Sequence, residues 1–148
     1  MALCAVLTLG ACTSSGPASA IRKIQIYHLR DVQVVTPERM IRSESKSRLW
    51  GAVSGLERRG RMGNYYTVHW KTPDRQTPVK IRFDYHQALT QSKLFTQEID
   101  VPAPKRSNVT EFKVIGQPYH TQGRVVAWRV QVIQGGQIIG QENSFLWE

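Results

Sequence analysis

Four histidines, eleven carboxylates and twenty lysines and arginines are the groups in this chain of 148 residues that could bind or transform a ligand. The histidines, His28, His69, His86 and His120, have no second His, Cys or carboxylate at the spacing of a zinc site. The nearest approach is Asp84-Tyr85-His86, where Asp84 and His86 share a strand face. A hairpin between the segments around Tyr65 and Asp84 would put His69 beside Lys80 and Asp84 opposite Tyr65, so three ligands do not converge. Surface strand histidines and no metal are the expectation. Glu98 and Asp100 also share a strand face, as paired acids of a glycoside hydrolase would, and Glu98 or Asp84 would serve as the acid of an envelope hydrolase. No third element supports that chemistry, and the chain has no G-x-S-x-G, P-loop, G-x-G-x-x-G or H-E-x-x-H motif. It reads as a non-enzyme without a cofactor.

Charge is the stronger signal. The net charge of +9 favours anionic partners. From Arg22 to Arg61, ten cations face four acids for a local net of +6, against ten and seven, or +3, in the remainder. The densest run is Glu57-Arg58-Arg59-Gly60-Arg61-Met62-Gly63-Asn64, read as a glycine-punctuated loop. Glycines let backbone amides approach an anion, and arginine forks bind phosphate or carboxylate in a bidentate manner. Arg58, Arg59 and Arg61 are therefore the candidate anion-binding residues, for a lipid headgroup, a lipopolysaccharide phosphate or another acidic polymer. The simpler reading is a solvated hairpin loop whose charges discourage edge-to-edge aggregation. Nucleic acid would need a stacking platform. Phe83 and Tyr85 fall on the apolar face of their strand, which argues for core and against that ligand.

The remaining reactive groups are Cys4 and Cys12, both inside an opening run, Met1 to Ala20, that holds no charged side chain. As a helix, the apolar stretch Ala2 to Ala11 would reach about 15 Å, half the roughly 30 Å of a bilayer core. It fits the apolar region of a secretory signal instead. Leu9-Gly10-Ala11-Cys12 resembles the lipobox of bacterial lipoproteins, in which an aliphatic residue and small residues precede the cysteine. The resemblance implies that Cys12 is diacylated and becomes the new N-terminus after cleavage. Thr13, where an Asp would retain the protein at the inner membrane, implies sorting to the outer membrane, facing the periplasm. The charged region that normally precedes such a run is missing. Either the true start lies upstream and the chain is truncated, or Met1 is a start chosen too late; the alternative is a chance run in a protein that stays cytoplasmic. Residues 13–20 are Ser/Gly/Pro-rich, as a flexible tether is. Beyond Cys12 there is no cysteine, so residues 21–148 hold neither a disulfide nor a thiolate site.

These groups must be positioned by strands, because the body alternates with period two. Ile24 and Ile26 alternate in the first segment, as do Val32 and Val34, with a break near His28–Asp31. "SRLWGAVSG" reads as a short strand weakened by glycines. "NYYTVHWK" puts Tyr66, Val68 and Trp70 on one face, and "PVKIRFDYH" puts Val79, Ile81, Phe83 and Tyr85 on one face. "LFTQEIDV" and "NVTEFKVIG" follow. "RVVAWRVQVIQ" and "QIIGQENSFLW" flank Gly135-Gly136, a two-residue turn suited to positive φ. That turn pairs Gln134 with Gln137, Val132 with Ile139, Arg129 with Glu142 and Val126 with Phe145. Helix is confined to one turn from Thr36-Pro37 and a short one in "HQALTQSKL". About seven strands make an all-β, immunoglobulin- or fibronectin type III-like sandwich, with a small barrel as the alternative, and Trp70 and Trp128 as inter-sheet anchors.

The sequence thus predicts a signal over residues 1–11, an acylated Cys12 with its tether over 12–20, and a basic β-sandwich over 21–148. Its function would be binding or structural: held at a membrane by its acyl chains, it would meet an envelope protein or an anionic polymer. A cytoplasmic nucleic-acid-binding domain is the alternative and an envelope hydrolase the third.

Overall fold

The computed structural model describes residues 19–30 and 38–147. Among them the order is β1 (Ile21–Leu29), α1 (Arg39–Leu49), α2 (Gly55–Arg61), β2 (Gly63–Lys71), β3 (Val79–Gln87), β4 (Leu94–Val101), β5 (Ser107–Ile115), α3 (Gln117–Gln122), β6 (Val125–Gln134) and β7 (Gln137–Asn143). Two antiparallel sheets form, β1-β2-β5 and β4-β3-β6-β7. They pack face to face as an all-β sandwich and do not close into a barrel.

The alternation read from the sequence explains the inner faces. Tyr66, Val68 and Trp70 of β2 are buried, as are Val79, Ile81, Phe83 and Tyr85 of β3, and Phe112, Val114, Val130 and Val132 complete the layer. Phe83 is central, with its ring 4.7 Å from Tyr66, 5.0 Å from Tyr85 and 5.1 Å from Phe112. Trp70 and Trp128 both sit in this core. The Trp70 indole N–H donates to Thr110 Oγ1 at 3.0 Å, so its one polar atom is satisfied where water is excluded.

Four local expectations are corrected. First, β2 and β3 do not form a hairpin. They lie in different sheets and present their apolar faces to each other across the core, because each carries a full stripe of large side chains that needs a facing layer. His69 therefore pairs with Lys23 and Val109, and Asp84 with Thr96 and Arg129. Second, "SRLWGAVSG" is not a strand: it is the end of α1 and the link to α2. The two helices cover the outer face of the three-stranded sheet, where Leu29, Met62 and Tyr65 make a second apolar cluster joined by Leu49 and Tyr119. Helix α1 buries no residue of its own. Arg48 anchors it, donating to Glu44 at 2.8 Å and to Glu111 of β5, with its guanidinium 4.2 Å over the Tyr65 ring. The helix runs from Arg39 for eleven residues after Glu38, longer than the single turn expected. Thr36, Pro37, Val32 and Val34 lie outside the described residues.

Third, "HQALTQSKL" is the end of β3 and a turn, not a helix. Buried Gln87 fixes it there, since its Nε2 donates to the carbonyls of Pro118 and Gly123 at 3.1 and 2.7 Å.

Fourth, the final hairpin begins as predicted, with Gln134 opposite Gln137, and then shifts. A bulge follows Ile133↔Ile138, so Val132 faces Gly140, not Ile139, and Arg129 faces Asn143, not Glu142. No Val126–Phe145 pair forms, and Phe145 is 99% exposed. The shift brings Gly140 against the start of the fold. Ala20 N–H donates to the Ile139 carbonyl at 3.2 Å, and Lys71 N–H to the Ala20 carbonyl at 2.8 Å. A Cβ on Gly140 would stand 2.9 Å from Ala20 N. Gly140→Ala is accordingly expected to cost about 1–3 kcal/mol by overpacking, read as a lower urea midpoint; an unchanged midpoint would mean that this contact does not restrict position 140.

Candidate anion-binding site

Of the residues singled out in the sequence, Cys12 lies outside the described residues. Arg58, Arg59 and Arg61 sit on helix α2 and not on a glycine-rich loop. The reason is local: Ser54 and Glu57 make a reciprocal capping box, with Glu57 N–H donating to Ser54 Oγ at 3.1 Å and Ser54 N–H to Glu57 Oε2 at 3.0 Å. The three arginines occupy the end of the helix, where cations complement the dipole. Arg61 donates to the carbonyls of Arg48 and Trp50, and Arg58 to that of Ala52 at 3.5 Å. Two of the three thus hold the α1–α2 link, and the trio does not close around one ligand.

The carboxylates are engaged as well. Asp84 points to the outer face of the four-stranded sheet, yet it is fully buried. Its Oδ1 accepts from Thr96 Oγ1 at 2.7 Å and Arg82 Nε at 2.9 Å, and its Oδ2 from Arg129 Nη2 at 2.8 Å. The Arg129 guanidinium lies in turn 4.9 Å over the Trp147 ring, so the C-terminal segment roofs the cluster. Burial alone would raise the Asp84 pKa; the hydrogen bonds from Thr96, Arg129 and Arg82 outweigh it and hold the carboxyl below its ordinary range. That environment suits an ion-pair centre and works against a proton donor. Glu98 and Asp100 both face Lys80, at 3.0 and 4.0 Å.

The histidines are dispersed. His28 Nε2 is 2.6 Å from the Tyr119 hydroxyl, His69 Nε2 3.0 Å from Gln25, His86 Nδ1 2.9 Å from the Lys93 carbonyl and His120 Nε2 2.9 Å from the Arg59 carbonyl. Among the described residues no three His, Cys, Asp or Glu come together as a metal site would require.

The structure assembles a different basic site at one end of the sandwich. There the start of β1, the end of β2, the β2–β3 and β4–β5 connections and the β6–β7 hairpin meet around an open cleft of about 970 Å³. Arg22, Lys71, Arg75 and Arg106 line it, and no carboxylate does. All four are exposed, and none forms an ion pair among the described residues. The floor is rigid and polar. Buried Thr72 has its Oγ1 2.8 Å from Gln134 Oε1 and 3.0 Å from the Asp74 carbonyl, and Gln134 Nε2 donates to the carbonyls of Asp74 and Thr77. The nearby Asp74 carboxylate is turned to its own loop, where it accepts from the Gln76 and Thr77 amides at 2.9 and 3.3 Å. Four unpaired cations on a fixed frame can hold a polyanion with phosphate or carboxylate groups.

Sequence reasoning missed this cleft because its cations come from three separate segments, Arg22, Lys71 with Arg75, and Arg106, and make no local run. A signal was present all the same: Arg22, Lys71 and Arg106 each flank a strand end, and a seven-strand order with connections that cross between sheets gathers such ends.

No family model, no curated protein and no solved structure matches this chain. Among the described residues no helix is long and apolar enough to cross a membrane.

Proposed function

We propose that this chain is a bacterial envelope lipoprotein, acylated at Cys12, whose β-sandwich is a non-catalytic binding module for an envelope protein or an anionic surface. Its place would be the outer membrane, facing the periplasm. The three-plus-four strand order, with β4–β5 and β5–β6 crossing between the sheets, supports an immunoglobulin- or fibronectin type III-like plan for that module. Such sandwiches serve as interaction scaffolds on many cell surfaces, which is an argument by analogy with the fold alone.

The observation that carries the reading is the position of the lipobox-like run relative to the fold. Leu9-Gly10-Ala11-Cys12 ends eight residues before Ala20, and Ala20, at the start of the described residues, is hydrogen-bonded to β2 and β7. The described part of the fold therefore starts at a distance from Cys12 that suits a short tether. Two or three acyl chains, at about 0.8 kcal/mol per buried methylene, hold such a domain at a membrane effectively permanently.

Metabolic labelling with a palmitate analogue tests this, in cells expressing the gene with its upstream region. Label is expected on the wild type and none on Cys12→Ala. No label on either chain, or equal label on both, overturns the lipoprotein reading; absence of label would turn the search to nucleic acid as the partner of a basic cytoplasmic domain.

A further inference from the structure

We propose that the cleft formed by Arg22, Lys71, Arg75 and Arg106 binds the phosphates of anionic membrane lipids and seats the sandwich on the bilayer by that end. The inference rests on the membrane-anchored reading for its biological setting, but the cleft's chemistry can be measured without the anchor.

Three observations converge on lipid phosphate. The first is composition: four exposed cations line one cleft, with no carboxylate among its lining residues. By contrast, Arg48 is matched by Glu44 and Glu111, Lys80 by Glu98, and Arg82 and Arg129 by Asp84. A charge left unmatched in this way is available to an external anion. The second is position. Ser19 and Ala20, the first described residues, themselves line the cleft. Thr13 to Ser19 are the seven residues between Cys12 and Ala20, and seven residues reach at most about 25 Å at full extension. A domain held at Cys12 must keep this end within that distance of the headgroups. The third is an apolar component. Ile138, 56% exposed near the start of β7, lies on the same rim. A cationic ring with an apolar tip matches the headgroup–acyl boundary, whereas a soluble phosphate has no use for the tip.

The arrangement explains why the cations are exposed and on different segments. A planar anionic surface presents many phosphates at once, so each side chain can meet its own. Each cation near such a surface raises partitioning about fivefold, and screening by salt weakens it. Beside an acyl anchor this is a second, reversible membrane signal that orients the domain.

The test uses the full-length Cys12→Ala chain, which cannot be acylated at that position, so that its failure is separable from failure of the labelling experiment. Co-flotation is measured with phosphatidylcholine vesicles containing or lacking phosphatidylglycerol. Binding is expected only with phosphatidylglycerol and should fall as salt is added. Arg22→Gln with Arg106→Gln should lower partitioning about thirtyfold, at roughly fivefold per charge. Arg58→Gln with Arg59→Gln, which removes the same net charge from α2, should change it by less than about twofold, in line with a surface more than a Debye length from the membrane. Circular dichroism should show both double variants folded, since all four residues are exposed.

Equal losses in the two double variants would mean that net charge alone acts, and would overturn the site. So would equal binding to both vesicle types, or none to either. Titration with inorganic pyrophosphate alone gives the remaining arm: saturable binding lost in the Arg22/Arg106 variant would assign the cleft to a soluble phosphate and reject the lipid.

Discussion

Truncation of Trp70 to alanine is expected to lower the stability of the domain by about 3–5 kcal/mol, a large part of the 5–15 kcal/mol typical of a folded domain. Trp70 is fully buried on β2, a central strand of its sheet, and belongs to the core cluster between the two sheets. Two losses add. The indole volume becomes a cavity, because a sandwich held by seven strands relaxes only partly around it. Thr110 Oγ1, buried on β5, also loses the donor it meets at 3.0 Å. Urea denaturation followed by far-UV circular dichroism should show a lower midpoint at nearly unchanged slope. Trp70→Phe separates the two contributions: it retains much of the volume and costs chiefly the hydrogen bond, about 1–3 kcal/mol. Adding Thr110→Val should recover part of that smaller loss. A Trp70→Ala chain within 1 kcal/mol of wild type would show that this side chain does not fill the inter-sheet space.

The second large effect is at Asp84. Asp84→Ala is expected to cost about 3 kcal/mol, because it leaves Arg82, Arg129 and the Thr96 hydroxyl without the acceptor they share. The two guanidinium groups are partly exposed and can recruit water, which keeps the loss toward the lower end of what breaking a buried pair costs. The same carboxylate sets a pH dependence. Its folded pKa is below that of the unfolded chain, so its contribution is fully present above the unfolded value, near 4, and is lost as pH falls through the lower folded value. Glu111, also held low against burial by Arg48 and Lys113, acts in the same acid window. Urea midpoints followed from neutral pH to below pH 4 should therefore fall for the wild type and fall less for Asp84→Asn. That variant retains the parts due to Glu111 and to Glu57 and Asp74, whose carboxyls are also held low by hydrogen bonds. Parallel curves would mean that Asp84 is not held as a carboxylate by its three donors.

The two predictions concern the frame, and the frame is what brings the basic cleft together. Asp84 couples β3 to β4 and β6 through the partners of a single side chain, and Trp70 ties β2 to β5. The cleft sits on the ends of these same strands. A loosened frame should therefore weaken vesicle binding even though Trp70 and Asp84 do not line the cleft, whereas the Arg22/Arg106 variant should weaken binding with the frame intact.

By itself the sequence determined the features that are local or periodic. Alternation in "NYYTVHWK" and "PVKIRFDYH" identified the buried faces of β2 and β3, since a side chain's face in a strand is fixed by parity. Gly135-Gly136 located the last turn and its first pair, because few residues adopt the positive φ of 57° and 76° found there. The lipobox-like run, the absence of cysteine beyond Cys12 and the excess of cations were also plain. Only the tertiary structure decided which strands pair. Parity states which face is apolar and is silent on whether the next strand lies beside it or across from it, so β2 and β3 were misread as neighbours. The bulge at Gly140 depends on Ala20, 120 positions away in the chain. Helix α1 buries no residue and is held by a long-range ion pair, so no strong period marked it. The cleft was the least legible feature of all: Arg22, Lys71, Arg75 and Arg106 are unremarkable in sequence and meet because strands that cross between two sheets bring their ends to one place.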